Sequence, residues 1–296
     1  MNQTMHQAML RRLAPVALFL LVCGVRPAAA DSCQLSSIAP IVFGSYTGSA
    51  VRVAGTITFQ CSSGSAYSIG LNAGTTGGST VNSRNMSGPS SNLGYSLFSN
   101  AGYNFNWGDS SGTNWVTGTA ATSGYQTVTI YAQLPTGQYP AAGTYTDTVT
   151  ATLSGNFATS TLQFNVSATV VKACLVSASS LLFGAYTGSV LNSTAIISAN
   201  CTNGTAYNVG LDAGTANAAT VTNRDMTGPS SILLRYSLFS DSGRSMNWGN
   251  TVGSDTLAGT GTGVSQYLTV YGQIPAGQTS VVAGSYADTV TVTLTY

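Results

Sequence analysis

A long internal repeat is the feature that most constrains how this chain can fold. Segments of the first half recur in the second half with the same or nearly the same residues at an offset of 140 to 142 positions. The matched segments are 43–48 and 183–188, 84–86 and 224–226, 88–91 and 228–231, 95–98 and 236–239, 106–108 and 247–249, and 147–150 and 288–291. A solenoid repeats about every 20–50 residues, so this much longer period predicts two tandem domains.

Each copy has the sequence pattern of an all-β domain. Short runs rich in Val, Ile, Thr and Tyr, such as 127–132 and 267–271, are separated by clusters of Gly, Ser and Asn. No segment has a convincing helical period. Strands at this spacing in about 130 residues are typical of an immunoglobulin-like β-sandwich. We therefore predict two tandem β-sandwiches of this type.

One strand occurs only once, between residues 158 and 170. Apolar and polar residues alternate along it, which predicts one buried and one exposed face. Its apolar positions include Leu162, Phe164, Val166 and Val170. We expect this strand to turn back through residues 154–156 and to complete the N-terminal domain in cis.

The second copy has an alternating strand at 289–296 and then stops. We therefore expect the C-terminal domain to lack its last strand and to leave an open sheet edge, which favours pairing with a strand from another chain. The side chains expected along this acceptor edge are Val290, Val292, Leu294 and Tyr296.

The first thirty residues have the pattern of a signal peptide. Arg11 and Arg12 precede an apolar run at 13–25, and small residues at 28–30 suit a cleavage site. The expected domains are then 1–30 as signal peptide, 31–171 as the N-terminal domain and 172–296 as the C-terminal domain. Export from the cytoplasm follows from this prediction.

The composition of the mature chain argues against an enzyme. Its eight acidic residues are all Asp, Lys172 is its one lysine, and the histidine of the full sequence, His6, lies in the signal segment. The usual general acids and bases are therefore nearly absent, and we expect no cofactor or metal centre. A net charge slightly below zero also argues against nucleic acid as a partner.

Four cysteines remain after the signal segment. The repeat pairs Cys33 with Cys61 and Cys174 with Cys201, at separations of 28 and 27 residues. An even number of cysteines in an exported chain predicts disulfides, each stabilising the fold by about 3–4 kcal/mol in the chain-entropy estimate.

Taken together, these motifs resemble the spore coat protein U domain family. The resemblance is carried by the Phe-Gly opening after Cys33, the Arg-x-Met and Gly-Pro loop, Tyr-Ser-Leu-Phe, Asn-Trp-Gly, the Pro-x-Gly-Gln turn and Asp-Thr-Val-Thr, and it covers both halves. The family includes subunits of archaic chaperone–usher pili. The resemblance implies subunits without their last strand, which a periplasmic chaperone completes first and the N-terminal donor strand of the next subunit completes later. The resemblance also implies export through the periplasm and an outer-membrane usher that carries the fibre to the cell surface.

The start of the mature chain suggests a position at the distal end of such a fibre. Only Asp31 and Ser32 precede Cys33, which is too short for a donor strand. The two-domain organisation resembles that of an archaic tip adhesin. We therefore expect a tip subunit that mediates surface attachment and biofilm formation, with an abiotic surface or an unknown receptor as its target.

Aromatic residues confined to the first copy indicate where such binding would occur. Tyr103, Phe105, Trp115 and Tyr139 lie in expected loops, whereas the second copy has Arg244, Met246, Thr256 and Thr279 there. Exposed aromatics in loops are typical of contact sites; packing beneath their own loops or against the second domain is the alternative. Two other functions remain open: a structural spore-coat or cell-surface protein without a receptor, and a lectin-like, glycan-binding pilus subunit.

Overall fold

The computed structural model describes residues 31–110 and 112–296. The expected signal segment, residues 1–30, lies outside the described residues. The described part of the chain contains eighteen β-strands, one short 3-10 turn at Pro229–Ser231 and no α-helix. No helix in that part is long and apolar enough to cross a membrane. The all-β prediction is confirmed.

The first ten strands form an N-terminal sandwich. They are β1 (Cys33–Ile38), β2 (Ile41–Tyr46), β3 (Val51–Cys61), β4 (Ala66–Leu71), β5 (Arg84–Ser87), β6 (Asn92–Phe98), β7 (Val116–Thr119), β8 (Gly124–Leu134), β9 (Gly143–Gly155) and β10 (Phe157–Val170). One layer has the order β1-β3-β8-β6 and the other β7-β4-β9-β10-β2. Strand β5 pairs with both β6 and β9 and so joins the two layers.

Eight strands of the second copy form a C-terminal sandwich. They are β11 (Cys174–Ala178), β12 (Leu191–Cys201), β13 (Ala206–Leu211), β14 (Arg224–Thr227), β15 (Leu233–Phe239), β16 (Leu257–Thr260), β17 (Gln266–Ile274) and β18 (Val292–Thr295). Their order is β11-β12-β17-β15-β14 in one layer and β16-β13-β18 in the other. The order matches the N-terminal sandwich, except that the described chain contains no counterpart of β2 or β10.

Two disulfides join the first long strand pair of each sandwich. Cys33 bonds to Cys61 between β1 and β3, and Cys174 bonds to Cys201 between β11 and β12. Both pairs face each other directly across antiparallel strands. The predicted pairing is confirmed.

Strand β10 lies inside the N-terminal sandwich, between β9 and β2. It pairs with β9 in antiparallel register along most of its length and with β2 in parallel register at its end. Phe164, Val166 and Val170 are buried in the hydrophobic core, and Leu162 packs against it half-buried. The turn between β9 and β10 falls at Gly155 and Asn156. The core of this sandwich is therefore closed by a strand of its own chain.

Replacing Phe164 with Ala should strongly destabilise the fragment 31–171, which contains every strand of the N-terminal sandwich. The side chain is 4% exposed, and truncating a buried Phe costs about 3–5 kcal/mol. Thr169→Ala on the outward face of the same strand should change stability by less than about 0.5 kcal/mol. Urea denaturation followed by tryptophan fluorescence measures both, and equal effects would place β10 outside the core.

Candidate strand-acceptor groove

A groove in the C-terminal sandwich lies where the N-terminal sandwich has β10. One wall is the segment 178–183, which begins at the last residue of β11, and the other is the segment 286–292, which ends at the first residue of β18. No strand of the described chain lies between them. The cavity has a volume of about 520 Å³.

The groove is mainly apolar. Its floor is formed by core side chains of both layers, namely Ile197, Leu211, Leu238 and Val270. Leu181 and Phe183 line one wall, and Tyr286, Val290 and Val292 line the other. The side chains of an alternating strand could therefore be buried here, each contributing about 1.5–3 kcal/mol.

The two copies provide a matched comparison for the effect of the completing strand. Eight equivalent side chains are buried in the N-terminal sandwich and only half-buried in the C-terminal one. The pairs are Ile41 and Leu181, Phe43 and Phe183, Tyr46 and Tyr186, Met86 and Met226, Tyr145 and Tyr286, Val149 and Val290, Ala151 and Val292, and Leu153 and Leu294. The exposed apolar surface of the second copy thus corresponds to the surface that β10 covers in the first.

The backbone differs between the copies in the same way. Strand β9 extends over 13 residues, whereas its counterpart β18 has 4. Residues 181–186, which correspond to β2, form no strand at all. Loss of the neighbouring strand removes a complete ladder of hydrogen bonds from both walls, so their backbone groups are available to an added strand.

A half-buried carboxylate lies at the side of this groove. Asp288 accepts a hydrogen bond of 2.6 Å from the Tyr236 hydroxyl and bonds of 2.8 and 2.9 Å from the backbone N–H and hydroxyl of Thr215. Burial opposes ionisation of Asp288, but these hydrogen bonds outweigh it and keep its pKa below the ordinary value. Burial, followed by the bond to Asp288, raises the pKa of Tyr236. Asp288 is therefore ionised at neutral pH.

The predicted edge residues occupy three different environments. Val290 and Val292 line the groove. Leu294 is half-buried and packs against the core from β18, which pairs with β13. Tyr296 is 59% exposed and lies beyond the last strand.

The four aromatic residues of the N-terminal loops do not form one exposed patch. Phe105 alone among them is largely exposed, at 64%. Tyr139 is buried and its ring covers Gly48. Trp115 is half-buried with its indole against Gly70. The expectation of exposure is therefore wrong for Tyr139, because its ring fits over a position that has no side chain.

Tyr103 is held by neighbouring rings and by a cation. It packs edge-to-face on Phe98 and Tyr131, and the Arg52 guanidinium lies 4.4 Å from its ring centre. In the second copy, Arg244 occupies the position of Tyr103 and lies over Tyr271, which is the counterpart of Tyr131. The same place on the sheet is therefore covered by an aromatic ring in one copy and by a guanidinium group in the other. Tyr103 is accordingly half-buried.

The repeated Arg-x-Met loops are held by buried arginines. The Arg84 guanidinium donates to the carbonyls of Leu71, Asn72, Val81 and Trp107. Arg224 makes the equivalent four bonds in the second copy. Burial lowers the pKa of Arg84 to about 10. With all donor groups directed at the backbone, these arginines tether loops and are not ligand groups.

Sequence reasoning missed most of the groove walls. Phe183 and Asp288 belong to motifs that recur in both copies, so the repeat marked them without indicating a role, and Leu181 lies just before one of these motifs. The available signal was the single occurrence of 158–170. The residues that contact this strand in the N-terminal sandwich have counterparts 140 to 142 positions later. These counterparts are the residues that remain uncovered in the C-terminal sandwich.

Comparison with known proteins agrees with the repeat. The model of the Spore Coat Protein U domain matches residues 20–152 and again residues 160–293. The chain belongs to this family. A relative named Protein U, from Myxococcus xanthus, is 33% identical over 156 residues, which cover 47% of this chain and 86% of that protein.

Two of the solved structures that the chain matches are the following. One is the CsuC–CsuE chaperone–tip adhesion subunit pre-assembly complex of archaic chaperone–usher Csu pili of Acinetobacter baumannii, with 15% identity, a TM-score of 0.49 and coverage of 90% of this chain and 100% of the other. Another is the CupB6 tip adhesin from Pseudomonas aeruginosa, with 10% identity, a TM-score of 0.29 and coverage of 90% and 94%.

Backbone amides should exchange with solvent at different rates in the two copies. Residues 145–151 are paired to β10, whereas 286–291 have no strand on the groove side, so amides of the second segment should exchange much faster. Hydrogen-exchange mass spectrometry of the mature chain measures both segments in one sample. Equal protection would mean that the groove is closed in solution.

Proposed function

We propose that this chain is the tip subunit of a chaperone–usher pilus and mediates attachment to surfaces. The observation that carries the proposal is the contrast between the two copies of one domain. The N-terminal sandwich has its completing strand, β10, in place. The C-terminal sandwich has an apolar groove of about 520 Å³ at the same site.

The groove suits a strand donated by another subunit. In the N-terminal sandwich, β10 runs antiparallel to β9 and parallel to β2. An incoming strand that followed this pattern would pair with residues 286–291 and 181–186. It would insert alternate side chains between the layers, so main-chain hydrogen bonds provide affinity and the apolar positions provide specificity.

A chaperone and an usher are the partners that this mechanism requires. Half-buried apolar side chains along the open groove make the empty subunit prone to association with other open edges. A periplasmic chaperone would occupy the groove after export, and the donor strand of the next pilin would replace it at the outer-membrane usher. This order of events places the assembled protein at the cell surface.

The use of β10 inside its own sandwich supports a position at the tip. Its apolar side chains are buried in the N-terminal core and are not available to a neighbour. The chain as described can therefore accept one strand, at the C-terminal sandwich. The N-terminal sandwich, which needs no partner to close, is then the part that contacts a surface.

Phe105 is the residue that we propose for this contact. It is the most exposed of the four N-terminal loop aromatics, and aromatic side chains are frequent binding hot spots. Tyr103 and Trp115 are half-buried beside their sheets and would support the loops from below. The attachment proposed here is non-covalent and needs no catalytic group.

The isolated C-terminal sandwich, residues 172–296, should aggregate or be degraded in the periplasm. Fusing the sequence of residues 157–170 after Tyr296 through a flexible linker should give a soluble monomer, because the strand covers the half-buried groove. Yield and size-exclusion chromatography measure the rescue.

A matched fusion tests whether the rescue depends on strand insertion. Asp at the positions of Phe164 and Val166 would bury charge between the layers, so that fusion should remain insoluble. A stable monomer of residues 172–296 without any added strand would refute the strand-acceptor proposal.

Phe105→Ser should lower surface attachment and leave pilus assembly unchanged, because the loop is remote from the groove lining. Met246→Ser is the matched control, since Met246 occupies the equivalent loop of the C-terminal sandwich and is 63% exposed. Electron microscopy counts the pili, and biofilm mass on plastic measures attachment. Normal attachment by the Phe105 variant would remove this loop from the adhesive site.

A further inference from the structure

The groove wall formed by residues 286–291 has very little strand pairing. It forms one isolated bridge, between Ala287 and Thr227 of β14, with bonds of 2.9 and 3.1 Å. Strand pairing to β13 begins only at Val292. An extended segment with so few ladder bonds would not keep a fixed position by pairing alone.

Beyond this bridge and a backbone bond of 3.1 Å from the Asp212 N–H to the Thr291 carbonyl, the wall is held by side-chain carboxylates. Asp288 joins the wall to Tyr236 on β15 and to Thr215 in the loop that follows β13. These partners belong to different layers of the sandwich. A second carboxylate, that of Asp212, accepts a bond of 2.8 Å from the backbone N–H of Thr291. The wall is thus attached to both layers by its polar groups.

The N-terminal sandwich provides the same attachment in a different context. Asp147 accepts bonds from Tyr95, Thr75 and Thr76. There, however, the wall is the 13-residue β9, whose full length also pairs with β10. The carboxylate adds to a ladder in the first copy, whereas in the second copy it acts without that ladder.

The position of Asp288 along the groove makes this attachment relevant to strand entry. Its side chain lines the cavity. In the N-terminal sandwich the equivalent Asp147 lies directly opposite Val166 of β10. A residue of the incoming strand that pairs with Asp288 would therefore lie within the inserted segment, as Val166 does in β10. The position of the wall at Asp288 then sets the register between the wall and the incoming strand.

We propose that Asp288 is a positioning residue that holds the wall of the empty groove in the conformation that an incoming strand needs. The inference rests on the proposed strand-acceptor function. An ionised carboxylate suits the role because it can accept several hydrogen bonds at once, which a neutral side chain of similar size cannot do equally well. A wall that is already in place removes part of the ordering cost of association.

The effect should appear in the association rate with a donor strand. The probe is a fluorescent peptide with the sequence of residues 157–170, mixed with the mature chain, residues 31–296, and followed by anisotropy. Asp288→Ala should slow association by about tenfold or more, the equivalent of losing one charge-assisted hydrogen bond, with little change in dissociation. Asp288→Asn should have an intermediate effect.

Two controls separate positioning from general stabilisation. Asp147→Ala removes the equivalent carboxylate from the N-terminal sandwich and should leave peptide association unchanged. In a chain that carries the strand 157–170 fused after Tyr296, Asp288→Ala should lower the urea midpoint of unfolding by less than it does in the open chain, because the fused strand supplies the missing ladder.

The outcomes distinguish this inference from the function on which it rests. If the unsubstituted mature chain does not bind the peptide saturably, the strand-acceptor function itself is wrong. If it binds and Asp288→Ala associates at the same rate, the positioning role is overturned and the function stands. If Asp288→Ala destabilises the fused chain as much as the open one, Asp288 is a general stabilising residue and the inference is also overturned.

Discussion

The need to pair and cover both walls of a β-sandwich is the constraint on which this structure depends. Strand β10 meets that need in the N-terminal sandwich by bonding to β9 and β2 and by inserting Phe164 and Val166 into the core. Without a strand at this place, apolar side chains remain half-exposed and the wall segments lose regular structure. One strand therefore separates a closed domain from one that requires a partner.

Because the domain is duplicated, the effect of that strand on side-chain burial can be compared at equivalent positions of one chain. Tyr145 is fully buried, whereas Tyr286, at the equivalent place, is half-buried; Val149 and Val290 differ in the same way. The side chains are identical, so their local preferences cannot account for the difference. The presence of a neighbour accounts for it, and burial by a neighbour is the dominant favourable contribution to both folding and association.

Most of the buried polar groups have the same role in both sandwiches, and one carboxylate differs in its surroundings. Buried arginines and tryptophan N–H groups hold the loops of both sandwiches through the backbone, as with Trp107 to Ile69 and Trp248 to Val209. These contacts are the same in both copies because they do not involve the completing strand. The equivalent carboxylates Asp147 and Asp288 also bond to equivalent tyrosines. Their surroundings differ, because Asp147 lies on a wall that pairs with β10 and Asp288 lies on a wall of the open groove.

The sequence by itself determined the all-β class, the two disulfides and the single occurrence of the strand that became β10, since these follow from alternation, from repeat offset and from cysteine count. Only the tertiary structure decided which aromatic side chains are exposed. Tyr139 is covered because Gly48 leaves room for its ring, and Tyr103 is held between Arg52 and Tyr131. Exposure depends on neighbours distant in the chain, which local pattern does not encode. The same physical reason kept Asp288 from being recognised, because its partners come together only when the layers pack.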